Sequence, residues 1–318
     1  MLDTSMGMSE SGRWSILRKF LAAKIQQFCI FALMRICVIG GANVDITAMS
    51  AQAFRFSDSN PGRVHVSWGG VGRNIAHNLV LLGDEVELLT IFGGGLFGPV
   101  IESSCRELGM ITDHCQTARE GTNSFFVSIN NADGELVGGV ADMNATEGMT
   151  REWLRERLEA IEEADAVVAD ANLSPAALSW LIDNCEAPLY LDAVSVAKAP
   201  RIADAVELSR KKAFFALKSN ALESQVLGSL PGAHVERRYV SVGAEGLRVE
   251  SQGKTHEFPA LPCIVRSVTG GGDALLAGIV HAGPSASIED TARWGLECAR
   301  CAVESPEAVS NEIKNLRI

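Results

Sequence analysis

The segment Ser267-Val-Thr-Gly-Gly-Gly-Asp-Ala-Leu-Leu-Ala-Gly278 sets Gly270, Gly271 and Gly272 directly before one carboxylate, Asp273, and then enters an apolar, helix-like run. Glycines without a Cβ let backbone N–H groups turn inward and approach an anion closely, and a helix starting near Asp273 adds the positive end of its dipole. A phosphoryl group held there would lie beside a carboxylate able to take a proton from an attacking hydroxyl. A base so placed contributes roughly 10²–10⁴ in rate. Read alone, the stretch also suits a plainer role, with Asp273 capping a helix after a glycine turn.

Other stretches carry polar groups at comparable places. "GGANVDI", Gly40 to Ile46, puts Asn43 and Asp45 just after a first strand, at the sheet edge where ligands of α/β proteins sit. Both can hold sugar hydroxyls, and both are equally good turn formers. "WGGVGRNIAHNLVLLG" supplies a glycine turn at Gly69 and Gly70, then Asn74 in the first turn of a helix. "LKSNALE" ends a strand at Asn220 and places Glu223 three residues on, one face of a helical turn that can hold Mg²⁺ through waters. "VSVGAEGL" is a strand followed by Gly243 and Gly246, suited to a nucleotide lying across a turn.

The elements that must position these groups alternate from Arg35 onward. "RICVIG", "EVELLTIFG", "DAVVAD", "PLYLD", "KKAFFALKSN" and "RRYVSVG" read as strands; "GRNIAHNLVLLG", "FGPVIESSCRELG", "TREWLRERLEAIEEA" and "SPAALSWLIDNC" read as helices. That alternation predicts a mostly parallel sheet covered on both faces. Two stretches depart from it. Residues 44–68 and 122–142 alternate polar and apolar residues, the second around a turn at Asn130–Gly134, and predict antiparallel ribbons forming a small lid over the sheet edge.

Taken together, "GGANVD", "GGVGRN", "LKSNALE", "SVGAEG" and "VTGGGDALLAG" resemble the ribokinase-like, PfkB-type carbohydrate and nucleoside kinases over residues 35–305. Within that family "DSNPGRVHVSWGGVGRNIAHNLVLLG", "ADMNATEGMT", "VVADANLS" and "DAVSVAK" are most similar to the pseudouridine kinase branch. The resemblance implies a ribokinase-like three-layer α/β sandwich with a mostly parallel central sheet and a β-strand lid. It also implies transfer of the γ-phosphate of ATP to the 5′-hydroxyl of a nucleoside, with pseudouridine as the acceptor. Asp273 would be the base, and the amides of Gly270, Gly271 and Gly272 would hold the moving phosphoryl group. Asn220 and Glu223 would organise Mg²⁺ and the phosphates, while Ser241, Gly243 and Gly246 would border ATP. Asn43, Asp45, Gly70 and Asn74 would hold the ribose, with Ser59, Asn60, Lys198, Thr122 and Ser124 reaching toward sugar or base. Lids of such kinases often pair between subunits, which leaves open a homodimer through the lid. A kinase for another sugar or nucleoside, or a non-catalytic ligand-binding member, are the other readings.

Some positions depart from the family pattern. Ser267, Val268 and Gly271 replace its usual Asp, Thr and Ala, and Ser267 weighs against the monovalent-cation site that some members carry nearby. Gly95 stands where Asp is usual. Gly93, Gly95 and Gly98 also satisfy G-x-G-x-x-G, but the acidic residue at dinucleotide spacing, Asp113, falls where a mid-strand position is expected. There is no Walker-type G-x-x-x-x-G-K-[ST] and no H-E-x-x-H.

Composition narrows the partners. Of 318 residues 47% are hydrophobic and 21% charged, and the formal net charge is -11, which argues against nucleic acid or an anionic membrane as a partner and leaves a small molecule. Eight scattered cysteines, with Cys298 and Cys301 as the one pair at redox or metal spacing, suit reduced thiols in a cytoplasmic protein. Residues 1–34 are basic and amphipathic. Their longest apolar run, Phe28 to Met34, is too short to span a bilayer, and Lys24 and two glutamines interrupt any signal-like stretch. "MRICVIGG" opens a strand at once, so residues 1–34 read as an extension outside a kinase domain at 35–318, or else as a short docked helix.

Overall fold

A computed structural model describes residues 33–122 and 124–318. Residues 1–32, and with them nearly all of the amphipathic segment and Cys29, lie outside the described residues. The remainder, Met34–Ile318, is one compact unit.

The strands of the central sheet are β1 (Arg35–Ile39), β4 (Glu85–Leu89), β9 (Ala166–Asp170), β10 (Leu189–Asp192), β11 (Ala213–Asn220), β12 (His234–Ser241), β13 (Leu247–Ser251) and β14 (Lys254–Phe258). They lie in the order β14-β13-β12-β11-β10-β9-β1-β4. From β4 to β12 every pairing is parallel; β13 and β14 close the sheet with an antiparallel hairpin. Because successive side chains of a strand point to opposite faces, each strand feeds two cores. Cys37, Ile39, Val167 and Leu191 pack under the helices Pro175–Asn184 and Pro200–Leu208. Ile36, Val38, Val168 and Tyr190 pack under Val71–Leu82 and Gly271–His281. The result is the three-layer α/β arrangement that the alternation predicts.

The lid is built from β2 (Asn43–Ser50), β3 (Gly62–Gly69), β7 (Phe125–Asn130) and β8 (Leu136–Asp142). Each expected ribbon is antiparallel, and parallel pairing of β2 with β7 fuses the two into one sheet, β3-β2-β7-β8. The register sorts its faces. Ile46, Val64, Val66, Val127, Ile129 and Val140 fall on one side, Asp45, Thr47, His65, Ser67 and Ser128 on the other.

Local expectations were corrected in three places. The apolar run Glu85–Phe92 is not one strand: it breaks at Thr90, and β5 (Ile91–Phe92) leaves the main sheet to pair with β6 (Gln116–Thr117). The segment expected as one helix at 150–164 is two, Arg151–Arg155 and Leu158–Glu162. Between them Arg157 leaves helical geometry (φ -115°, ψ 15°), and its guanidinium lies 3.8 Å over the Trp153 ring and donates to the carbonyls of Trp153 and His114. Asp113 sits in a turn, not within a strand.

Candidate active site

The C-terminal ends of the parallel strands form one edge, and the polar residues there arrive by register. Asp170 ends β9 and is the Cα partner of Asp192, which ends β10 and is the partner of Lys218 on β11. Two residues further along β11, Asn220 pairs with Ser241 at the end of β12.

Asp273 enters this edge from the first turn of the helix Gly271–His281. The N-cap is Gly270, with φ 80°, and no side chain caps the helix. The capping role open to Asp273 on sequence grounds is therefore not the one it takes: its Oδ2 accepts from Asn74 Nδ2 at 2.9 Å. The first intrahelical bond here runs from Ala274 N to Gly270 O at 2.9 Å, which leaves the amides of Gly271 and Gly272 free of the helix ladder. Burial, reinforced by the charge of Asp192, pushes Asp273 up to about 7 against the pull of Lys218 and Asn74. A carboxyl group in that range exchanges a proton near neutral pH.

Lys218 is the cation of the edge. It is buried, its Nζ lies 2.9 Å from Asp192 Oδ2, and it abuts Gly272. Burial disfavours its charge, but Asp192, Asp273 and Glu223 outweigh that and hold it protonated above the ordinary lysine range. Asp192 and Lys218 escaped the sequence reading, as did Asp170 and Asn172. The available signal was positional: Asp170 and Asp192 end apolar strands at the ligand-bearing edge, and Lys218 lies two residues short of the end of β11.

On the β1 and β9 side, Asn43 Nδ2 donates to Asp45 Oδ1 at 2.6 Å. Burial raises Asp45 above the usual carboxylate range, with Asn43 and Arg73 opposing. Gly70 (φ 103°) lies against the Gly41 carbonyl, where a Cβ would come within 2.3 Å of the oxygen, so only glycine fits. Lys198 donates to Asn172 Oδ1, and burial lowers its affinity for a proton. Ser124 is buried beside Val44, whose amide its carbonyl accepts, and its Oγ has no hydrogen-bond partner among the described residues. Thr122 accepts from Gly94 N through its carbonyl.

Ser59 and Asn60 are not brought to this edge. They belong to the exposed turn joining β2 to β3, beyond the Ser50–Gly62 pair, which lies seven rungs from the Asn43–Gly69 pair at the root. At about 3.3 Å per residue this is roughly 23 Å away along the ribbon. Asn60 there closes its own loop, accepting from Arg55 N and donating to the carbonyls of Arg55 and Asp58.

On the β11 to β13 side, Asn220 and Glu223 form a reciprocal capping box: Asn220 Oδ1 accepts from Glu223 N at 2.9 Å and Glu223 Oε2 from Asn220 N at 2.8 Å. Asn220 Nδ2 also donates to Glu223 Oε1 at 2.8 Å. Ser241 ends β12, and Gly243 (φ 60°) and Gly246 (φ 109°) make the turn into β13. A Cβ at Gly246 would lie 2.1 Å from the Phe258 carbonyl oxygen. Beside this turn is a surface recess lined by Val242, Glu245, Leu247, Arg248, Phe258 and Pro259.

The arrangement has two flanks, sugar-suited polar groups on one and a glycine turn with a recess on the other, with Asp273 and the Gly271–Gly272 amides between. Comparison with known proteins identifies the family of the chain. The model of the pfkB family carbohydrate kinases matches residues 34–315. The pseudouridine kinase of Escherichia coli (strain K12) is 32% identical over 261 residues, 77% of this chain and 82% of that one. A carbohydrate kinase from Agrobacterium tumefaciens superposes with a TM-score of 0.74 at 29% identity, covering 89% of this chain and 96% of its own. Arabidopsis thaliana ribokinase complexed with ribose and ATP superposes with a TM-score of 0.77 at 18% identity, covering 89% and 97%, a likeness of fold.

Proposed function

Since the chain belongs to the pfkB family of carbohydrate kinases and has the ribokinase-like fold, we propose that it transfers the γ-phosphate of ATP to the 5′-hydroxyl of pseudouridine. The observation that carries the reading is Asp273, held by Asn74 at the N-terminus of a glycine-led helix and poised at about 7. The choice of pseudouridine rests on the identity to the Escherichia coli enzyme and on the motifs shared with that branch.

In this mechanism Asp273 accepts the proton of the 5′-hydroxyl as its oxygen attacks the γ-phosphorus. The bond from that phosphorus to the β–γ bridging oxygen breaks, and ADP leaves. The amides of Gly271 and Gly272, with Gly270 shaping the turn, meet the moving phosphoryl oxygens, and the Lys218 ammonium beside Gly272 supplies positive charge where negative charge concentrates. Asn43, Asp45 and Asn74 hold the ribose. Lys198, Ser124 and Thr122 stand toward the base, and Ser241, Gly243 and Gly246 border the nucleotide.

The hydrogen bonds of Glu223 leave it capacity for Mg²⁺. Each Glu223 oxygen accepts one bond from Asn220 and keeps a further lone pair. Among the described residues no three His, Cys, Asp or Glu side chains gather as a direct metal cage. That set fits a cation held by Glu223 and Asn220 through waters and by the nucleotide's phosphates. When bound, Mg²⁺ neutralises charge on the triphosphate.

The same reading takes residues 35–318 as one kinase domain and the first 34 as an extension. Among the described residues no helix is long and apolar enough to cross a membrane, and the reading places the enzyme in the cytoplasm with its small-molecule substrates. The outer face of the lid leaves Val64 and Val140 each 69% exposed on an apolar row, which supports a homodimer that covers it.

A steady-state panel with Mg²⁺-ATP and pseudouridine, uridine, adenosine, ribose and fructose tests the assignment. Pseudouridine is expected to give the highest kcat/KM. Turnover of another acceptor with none of pseudouridine would overturn the substrate, and binding without transfer would overturn the kinase reading.

A further inference from the structure

Asp170 is 1% exposed and takes no part in the chemistry above, yet it is the most heavily hydrogen-bonded carboxylate of the edge. Its Oδ2 accepts from Gly41 N at 2.9 Å and from Gly72 N at 3.0 Å, and its Oδ1 accepts from Asn172 N at 2.9 Å. Three segments distant in sequence therefore end on one side chain: the turn after β1, the start of the helix Val71–Leu82, and the turn after β9.

The glycines of "GGANVD" and "GGVGRN" make room for this junction. A Cβ on Gly40 would lie 2.3 Å from Asp170 Oδ2, and one on Gly72 would lie 2.7 Å from the Gly40 carbonyl carbon. Neither glycine has a positive φ, so close approach, not backbone freedom, requires them.

Each of the three amides leads to a substrate-side group. Two residues past Gly41 is Asn43, bonded to Asp45. Two residues past Gly72 is Asn74, bonded to Asp273. Asn172 itself receives Lys198. The nucleotide-side residues, on β11 to β13, make no bond to Asp170. From this junction we infer that Asp170 is the positioning residue of the acceptor half, one buried carboxylate that fixes the ribose-holding, base-side and proton-accepting groups relative to one another. It deepens the proposed function and rests on that reading for the roles of the groups it positions.

Burial pushes Asp170 above the usual carboxylate range, and the Gly41 and Asn172 amides, the Asn172 side chain and Lys198 oppose this. Its carboxylate is held by donors directed at it, not by solvent. An amide in its place keeps one accepting oxygen but turns its NH2 against at least one of these backbone N–H groups, so the junction loses at least one of its three ties.

The test is Asp170→Asn, assayed with whichever acceptor the wild-type enzyme phosphorylates in the panel, so that a wrong acceptor assignment leaves this experiment intact. The expected result is a loss of about 10²-fold in kcat/KM for the acceptor, carried largely by KM, with KM for ATP within about twofold of wild type. Gly40→Ala, which displaces the carboxylate without removing it, is expected to show the same split. Equal loss for both substrates, or none for either, would overturn the inference. Should neither variant fold, hydrogen exchange on the unmodified protein decides: Gly41, Gly72 and Asn172 amides strongly protected without ligand are expected, and exchange at the rate of exposed loops refutes the role.

Discussion

The ammonium of Lys218 stands where a side chain at position 272 would begin: a Cβ added to Gly272 would lie 2.6 Å from Lys218 Nζ. The three glycines before Asp273 thus answer three different constraints. Gly270 has φ 80° and would bring a Cβ within 1.9 Å of the Ala308 carbonyl oxygen; Gly271 fits beside Val303, 3.0 Å from a would-be Cβ; Gly272 admits the lysine. Backbone freedom is needed at one of the three.

Gly272→Ala places a better helix former in the first turn, a gain of up to about 1 kcal/mol in an isolated helix. Here it pushes Lys218 away from Asp192. Turnover is expected to fall about tenfold, equivalent to about 1.4 kcal/mol of barrier, with a small change in Tm. Gly270→Ala, strained in backbone and blocked by a carbonyl, should show the larger drop in Tm by calorimetry.

Asp273→Asn keeps an oxygen able to accept from Asn74, so the fold and ATP binding are expected to persist. Without a proton acceptor, kcat should drop by roughly 10²–10⁴. Single-turnover kinetics beside an ATP-binding isotherm separates the two effects.

The pH dependence follows from the elevation of Asp273 to about 7. Its ionised form is the active base, so kcat/KM should rise with pH below about 7 and level off above it. Asp273→Asn should lack that limb. For stability the sign reverses. A carboxyl group raised in the folded state favours folding fully below its unfolded value near 4, and that contribution is lost as pH rises through about 7. The Tm of Asp273→Asn relative to wild type should therefore be more favourable at pH 8 than at pH 4.

Introducing charge on the outer lid row, as in Val64→Lys with Val140→Lys, is expected to convert a dimer to a monomer in sedimentation velocity. The polar face carrying Asp45 is untouched by these changes, so an unchanged sedimentation coefficient would count against pairing through the lid.

Much of the layout was legible because it is local. "SPAALSWLIDN" starts its helix as read, with Ser174 accepting from Ala177 N and Pro175 at the first helical position. The turn after Asn130 joins β7 to β8 where its Asn and Gly residues predicted. Thr90 was hidden because an unbroken apolar run does not reveal that its two parts pair with different strands. Asp170, Asp192 and Lys218 were hidden for a related reason. Each lies at or near the polar end of a buried strand, and only the pairing of β9, β10 and β11 aligns them. Ser59 and Asn60 belong to a motif that resembles the family, but hairpin length carries them away from the edge.

The alignment of Asp170, Asp192 and Lys218 on neighbouring strands has a consequence for assembly of the sheet. Side chains alternate faces, so a slip of β10 by one residue would carry Asp192 to the opposite layer and take from Lys218 the carboxylate it pairs with. An uncompensated buried ammonium costs several kcal/mol, comparable to the whole stability of many domains. The charges gathered at the edge thereby also penalise misaligned sheets, so the same pairing that assembles the candidate site guards the alignment of the strands.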